Sequence, residues 1–491
     1  MKKAIVIGSG YSSLSAACYI AREGYDVTVY EKNETIGGRA RQLKMDGFTF
    51  DMGPTFYWMP DVLEKFFADF DKSASDYYEL VRLDPGYKIY FGESDAISVS
   101  ADFDQIMDIF EQNESGSGKF LRRFIKDAEF NYKVAMEKVV YKPGKSPLEL
   151  VSPATASRAF QFVSSLSHTV RKNIRNTKLR QILEFPVLFL GAKPSDIPAF
   201  YCFMNYADMI LGTWHVKGGM FETIKGLRQL AESMGVVIQT SSPVERIVVK
   251  DSRTTGVIIE GEFHPADTVV SGADYHHSES LLEEKYRNYN DVYWHKRIMA
   301  PSALLYFVAF NKKLSHIAHH TLFFDTYFAT HAEKIYDHPG WPVKPLFYTS
   351  FPTKTDDSMA PADRDAAVIL IPVASGLNDT EKIREHYFLQ IIDRMEKLTG
   401  QSLKEDILFY KSYSVNDFKN DYNAYKGNAY GLANIMMQTA FLKPKVENQK
   451  IRNLFYTGQL TVPGPGIPPA VISGKIAGQM AASYLRKESK T

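Results

Sequence analysis

Gly8, Gly10, Ser13 and Glu31 are spaced as phosphate- and ribose-binding groups are. In "VIGSGYSSLSAA" the two glycines let the chain turn and bring backbone N–H groups against a pyrophosphate at a helix N-terminus, with Ser9 between them and Ser12 in the first turn. Glu31 follows Gly10 by 21 residues, where a carboxylate accepts hydrogen bonds from the hydroxyls of an adenosine ribose. Ser13 stands where the fingerprint has a third glycine, used for close helix–strand packing. Its hydroxyl can bond back within the helix or reach a phosphate oxygen. Alone, the pattern suits a nicotinamide or a flavin dinucleotide equally.

Those residues need a strand, a helix and a second strand to hold them. "KAIVIGSG" reads as a buried strand, "SLSAACYIAREG" as a helix closed at Gly24, and "YDVTVYEK" as the strand that ends on Glu31 and Lys32. Directly after it, "ETIGGRARQLKMDGFTFDMGP" pairs Gly37 with Gly38 before Arg39, a turn that approaches a ligand closely and offers it a guanidinium. Near the far end, "NLFYTGQLTVPGPGIPPAVISGKIAG" stops a strand at Gly458, offers the Gln459 amide, and opens a helix after "PGPGIPP". Nicotinamide enzymes have no need of the last two stretches.

These motifs resemble the flavin-binding segments of the amine oxidase and phytoene desaturase superfamily, in particular its bacterial-type carotenoid desaturases, 1-hydroxycarotenoid 3,4-desaturases included. "HIAHHTLFFD" and "FKNDYNAYKGNAYGL" are similar to segments of the same branch. The resemblance implies a mixed α/β chain: a discontinuous, Rossmann-like FAD-binding domain joined to a substrate-binding domain of sheet and helices. It implies FAD contacts from Gly8, Ser9, Gly10, Ser12, Ser13, Glu31, Lys32, Gly38, Arg39, Gly53, Pro54 and Thr55. Further contacts are implied from Val244, after the "SP" turn, and from Gly458, Gln459, Gly466, Ile467 and Pro468. Glu149, in "KSPLELV", falls where some carotenoid desaturases carry an acidic residue over the flavin. The chain departs from the family at Ser13, and at Val462 and Pro465, where relatives often have histidine and glycine beside the isoalloxazine.

The implied chemistry is hydride transfer from an acyclic or half-acyclic C40 carotenoid to flavin N5, with loss of the neighbouring proton. Either phytoene-type desaturation or 3,4-desaturation of a 1-hydroxycarotenoid fits, with oxygen or a quinone as electron acceptor. Because proton loss beside a delocalised carbocation is easy, a strongly shifted base is unnecessary and water exclusion matters more. A flavin amine oxidase is the alternative enzyme, and a prenyl-chain carrier of the GDP-dissociation-inhibitor fold the alternative without catalysis.

Cofactor motifs at both ends and in the middle must meet, so 1–95, 218–275 and 421–491 are expected to form the FAD domain. Residues 96–217 are expected as a helical, membrane-facing entrance, and 276–420 as substrate-binding sheet and helices. Lys and Arg number 58 against 57 Asp and Glu, so no global field recruits nucleic acid. Two cysteines, Cys18 and Cys202, suit a reducing compartment, and the short apolar run at residues 4–7 is too brief for a signal core. The expected location is cytoplasmic, peripheral to the inner membrane. "RKNIRNTKLR", with five basic and no acidic residues, and the aromatic 185–214 stretch are the segments expected to meet it. The pairs His276–His277 and His319–His320 lack a third ligand at metal spacing and are read as surface or core residues.

Overall fold

A computed structural model describes residues 1–489. Strand β1 (Lys3–Ile7) has four of its five residues buried, as a central strand covered on both faces requires. It runs parallel to β2 (Asp26–Tyr30) on one side and to Thr268–Ser271 on the other; Val237–Gln239 and Leu454–Tyr456 complete a five-stranded parallel sheet. Three distant parts of the chain thus build one sheet.

Helix α1 (Tyr11–Ala21) is buried along its whole length and packs on the C-terminal helix Ile467–Glu488. The approach is backbone to backbone. A Cβ added to Gly474 would lie 2.3 Å from the Ser12 carbonyl oxygen, and one on Gly478 2.7 Å from that of Ala16. Ser15 Oγ donates to the Val471 carbonyl at 2.8 Å across the same contact. Ser13 turns inward instead: its Oγ lies 3.4 Å from the Ile7 carbonyl oxygen.

The second sheet has seven strands, in the order Ile407–Tyr413, Ser302–Phe310, Asp365–Val373, Phe347–Ser350, His320–Phe323, Tyr87–Gly92, Asp95–Val99. Neighbours are antiparallel except His320–Phe323 beside Tyr87–Gly92. Tyr87–Gly92, expected within the dinucleotide-binding unit, instead pairs in the second sheet, between His320–Phe323 and the edge strand Asp95–Val99. Leu305, Leu370, Tyr348 and Leu322 are direct cross-strand partners, forming one row over four strands. Directly opposed residues project on one face, so this row is a continuous floor.

Between Val99 and Trp214 the chain is helical, with helices including Phe103–Asn113, Ser117–Val134, Leu166–Asn173 and Thr177–Glu184 packed on one another and on neighbouring short turns. The 185–214 stretch does not form the exposed aromatic surface expected of a membrane-facing segment. Phe185, Val187, Ile197, Phe200 and Phe203 are buried, because their apolar surface closes the core around an internal cavity.

Candidate active site

Two cavities meet in the middle of the molecule. The first, about 410 Å³, lies at the carboxyl ends of β1 and Thr268–Ser271 and against the N-termini of α1 and the C-terminal helix. Its wall includes Gly8, Ser9, Gly10, Ser12, Glu31, Lys32, Gly38, Arg39, Gly53, Pro54, Val244, Gly458, Gln459, Gly466 and Ile467. Thr55 and Pro468 line the second cavity instead. Ser13 lines neither, since its hydroxyl is turned toward β1.

The local chain explains the concavity. Gly8 has φ +90°, a left-handed conformation open to glycine, and donates to the Tyr30 carbonyl at 2.7 Å. Gly10 caps α1 without any side-chain acceptor, so the first N–H groups of the helix remain free for an anion. A Cβ on Gly10 would meet no protein atom within 4 Å, so it would enter the cradle itself. Glu31 is 4% exposed and held from both sides: Oε2 accepts from the Ser9 amide (3.0 Å) and Ser9 Oγ (2.7 Å), Oε1 from the Asn33 amide (2.9 Å) and Asn33 Nδ2 (3.0 Å).

Arg39 joins Lys32 as a cation on this wall. Its Nη2 donates to the Asn428 carbonyl at 3.1 Å, its guanidinium lies 5.1 Å from the centre of the Tyr422 ring, and its Nε is buried without a partner. Burial lowers its pKa and nearby Asp274 counters that. Gln459, with its amide turned to satisfy both ends, accepts from Arg39 Nη2 (3.1 Å) and the Gly431 amide (3.2 Å) and donates to the Ala429 carbonyl (3.0 Å). An orphaned guanidinium N–H, an uncapped helix N-terminus and a glycine cradle fit a pyrophosphate-linked cofactor such as FAD. Asn33, Asp274 and Tyr422 also line the cavity and were not picked out from the sequence. Asn33 follows the Glu31–Lys32 strand end directly, and that adjacency was the available signal.

The second cavity, about 580 Å³, is mainly apolar and rich in rings. Phe56, Phe185 and Phe189 pack with centroids 5.2 to 5.9 Å apart. The two cavities share Gly53, Pro54, Leu370, Tyr430, Gly466 and Ile467, while Val462 and Pro465 lie on the apolar side. Leu305 in the first cavity, Leu370 on the shared wall, and Tyr348 and Leu322 in the second are the single cross-strand row of the floor.

Polar groups on the apolar wall are few and mostly engaged. Glu149 is half-buried at the rim, and its carboxylate accepts from the amides of Gly144 (2.9 Å) and Lys145 (3.2 Å). His331 Nε2 donates to the Pro372 carbonyl at 2.7 Å and its Nδ1 accepts from the Leu346 amide at 3.0 Å; burial pushes it down to about 4, so the ring is neutral. His319 and His320 are buried, at 4.5 Å between ring centres, and His319 Nδ1 pairs with Thr355 Oγ1 at 2.9 Å. Among the described residues no three His, Cys, Asp or Glu side chains gather as metal ligands.

A parallel dinucleotide-binding sheet whose cavity opens onto an apolar chamber defines a flavin-dependent oxidoreductase. The chain belongs to the flavin containing amine oxidoreductase family, whose model matches residues 12–480. Among its relatives, a carotenoid 3,4-desaturase of Haloarcula japonica is 39% identical over 477 residues, 96% of each chain. A 4,4'-diapophytoene desaturase of Staphylococcus haemolyticus is 29% identical over 96% of this chain and 97% of its own. A zeta-carotene-forming phytoene desaturase of Myxococcus xanthus is 29% identical over 97% and 93%. Among solved structures, an oxidoreductase from Methanosarcina mazei aligns with TM-score 0.65 and 17% identity over 96% of this chain and 99% of that one. The cyclohexylamine oxidase of Brevibacterium oxydans aligns at 0.59 and 15% over the whole of both.

Proposed function

We propose that this protein is an FAD-dependent carotenoid desaturase acting on an acyclic or half-acyclic C40 carotenoid, by phytoene-type or 3,4-desaturation. The observation that carries the reading is the apolar chamber sharing a wall with the dinucleotide cavity, in a chain similar to a carotenoid 3,4-desaturase and a phytoene desaturase. An amine substrate brings a cation, which needs polar groups or a counter-charge as well as rings when it is taken out of water. Here the acidic group on the apolar wall is Glu149, which sits at the rim and is occupied by amides.

Bound FAD supplies a hydride acceptor at the shared wall. Gly8, Ser9, Gly10 and Ser12 would cradle its pyrophosphate, Glu31 its ribose, and Val244 its adenine. Arg39, Gly458, Gln459, Gly466 and Ile467 would hold the flavin end. Leu370, Tyr430 and Pro54 press the polyene toward that end, and the surrounding rings exclude water.

The chamber's rim suits loading from a bilayer. Leu148, Val151, Phe160 and Val163 are 70–76% exposed beside rim residues Glu149, Leu150 and Phe162. No helix among the described residues is long and apolar enough to cross a membrane. Peripheral docking through this rim replaces docking through 185–214. A quinone in the same membrane, or oxygen, would reoxidise the flavin.

The deciding experiment uses the FAD-loaded protein, anaerobically, with carotenes delivered in liposomes. Loss of the oxidised-flavin absorbance on adding phytoene or a 1-hydroxylated acyclic carotene, with a red-shifted product, supports the reading. Bleaching by amines alone sinks it.

A further inference from the structure

Tyr348 links the wall of the apolar chamber to a buried base. Its hydroxyl lies 2.6 Å from His320 Nδ1 and 2.8 Å from Thr55 Oγ1. Tyr348 and Thr55 both line the chamber, and each has an immediate neighbour on the wall shared with the cofactor cavity: Pro54 precedes Thr55, and Leu370 faces Tyr348 across the sheet. His320 is fully buried, stacked on Phe56 at 3.9 Å, and its Nε2 has no partner. Several other polar groups on the wall are committed elsewhere, and Asn434 Oδ1, buried there without a partner, is an amide oxygen and no base. The Tyr57 hydroxyl pairs with that of Tyr78, Tyr201 with Thr439, His331 with two backbone groups and Glu149 with two amides.

Desaturation removes one hydrogen as hydride and its neighbour as a proton, and in a water-excluding chamber the proton needs a protein acceptor. We propose that Tyr348 accepts this proton while passing its own to His320, with Thr55 donating a hydrogen bond to the tyrosine oxygen. The inference rests on the desaturase reading and adds to it a catalytic residue, Tyr348, with His320 as the base behind it.

The step balances. Hydride departure is reversible until the C–H bond next to the cationic carbon breaks and its electron pair becomes the π component of the new double bond, so flavin bleaching persists only as fast as this proton is lost. The released proton forms an O–H bond on Tyr348, and the proton Tyr348 carried moves to His320 Nδ1. The positive charge of the substrate ends as imidazolium. Before the step His320 carries its hydrogen on Nε2, the position without a partner, leaving Nδ1 free to accept.

Burial, with His215 nearby, holds the His320 imidazole well below its usual range. A weak base suffices here, because a C–H beside a delocalised carbocation is a strong acid. The same weakness makes His320 release the proton through Tyr348 once product leaves and water enters.

The test follows anaerobic flavin bleaching in a rapid-mixing experiment on the FAD-loaded enzyme, with a carotene that bleaches the parent. The carotene is used unlabelled and deuterated at the carbon that loses the proton. Tyr348→Phe is expected to slow bleaching about 10²-fold and to enlarge that isotope effect, with FAD content and co-sedimentation with carotene liposomes unchanged. His320→Phe, which keeps the stack on Phe56, is expected to slow it similarly, and the double variant no further. Parental rate and isotope effect in Tyr348→Phe overturn the proposal. If that variant fails to fold, a parental rate in His320→Phe overturns it, and a slowed one with the enlarged isotope effect supports it. A parent that no carotene bleaches overturns the desaturase reading and the proposal together; a parent bleached equally with both variants overturns the proposal alone.

Discussion

Ser13 occupies the space that a side chain on Gly272 would need: a Cβ added to Gly272 would lie 2.0 Å from Ser13 Oγ and 3.2 Å from its Cβ. The glycine missing from the helix side of the fingerprint is matched by one at the end of the neighbouring strand. Gly272→Ala is therefore expected to destabilise the protein by about 1–3 kcal/mol, the usual cost of overpacking, and to lower FAD content. Adding Ser13→Gly is expected to restore both, since the next contact is Thr457 Cγ2 at an adjustable 3.2 Å. Thermal melts and the flavin-to-protein absorbance ratio measure this, and a double variant as poor as Gly272→Ala would show that the two positions do not exchange volume.

Gly10 and Gly474 separate ligand space from packing space. A Cβ on Gly10 meets no protein atom within 4 Å, whereas one on Gly474 collides with the Ser12 carbonyl at 2.3 Å. Gly10→Val is expected to keep the melting temperature of the flavin-free protein and to lose FAD. Gly474→Val is expected to fail in both respects. Purification of each variant followed by reconstitution with FAD distinguishes them, and FAD bound normally by Gly10→Val would contradict the cradle.

The dinucleotide unit was legible because its signals are local: two glycines, a buried strand and a carboxylate at a fixed spacing lie within 31 residues. Gly458 and Gly466 were legible for the same reason, each sitting in a short glycine- or proline-rich turn. Ser13, expected as a contact, lines neither cavity, and its orientation depends on Gly272, a residue far away in sequence. Tyr422 under Arg39, and Tyr348 beside Leu370, depend on pairing between distant strands or loops, and no local spacing encodes such partners. The aromatic 185–214 segment shows the limit of composition. A ring-rich stretch reads alike whether it faces lipid or closes a cavity, and only the surrounding helices decide.

Asp208 gives a pH-dependent stability. Burial pushes its carboxyl up to about 7, although Tyr87 donates to Oδ2 at 2.8 Å. The folded state thus holds a proton that the unfolded chain releases near pH 4. Its contribution is fully present below that value, declines as pH rises, and is lost above about 7. Asp208→Asn mimics the protonated acid and is expected to melt higher than the parent at pH 8 and at the same temperature at pH 4. The gain is on the order of 2–4 kcal/mol if the full difference is realised. Melting curves at the two pH values decide it; a gain independent of pH would assign the effect to packing.

The rim of the apolar chamber is the last feature with a direct test. Leu148 (76% exposed), Phe160 (74%) and Val163 (70%) stand beside the exposed Lys142 and Lys145. Apolar side chains contribute roughly 1.5–3 kcal/mol each when fully transferred from water, and nearby lysines add attraction to anionic headgroups. Four such side chains, counting Val151, suffice for stable but reversible docking. Flotation with anionic liposomes is expected to carry the protein at low salt and to retain most of it at high salt, because insertion of apolar groups is not screened. Leu148→Glu with Phe160→Glu is expected to abolish flotation while FAD content stays at the parental level. Neutralising the basic 171–180 run is expected to change little. If the charge-neutralised protein fails to float and the rim variant floats, attraction to that basic helix, not the rim, holds the protein to the bilayer.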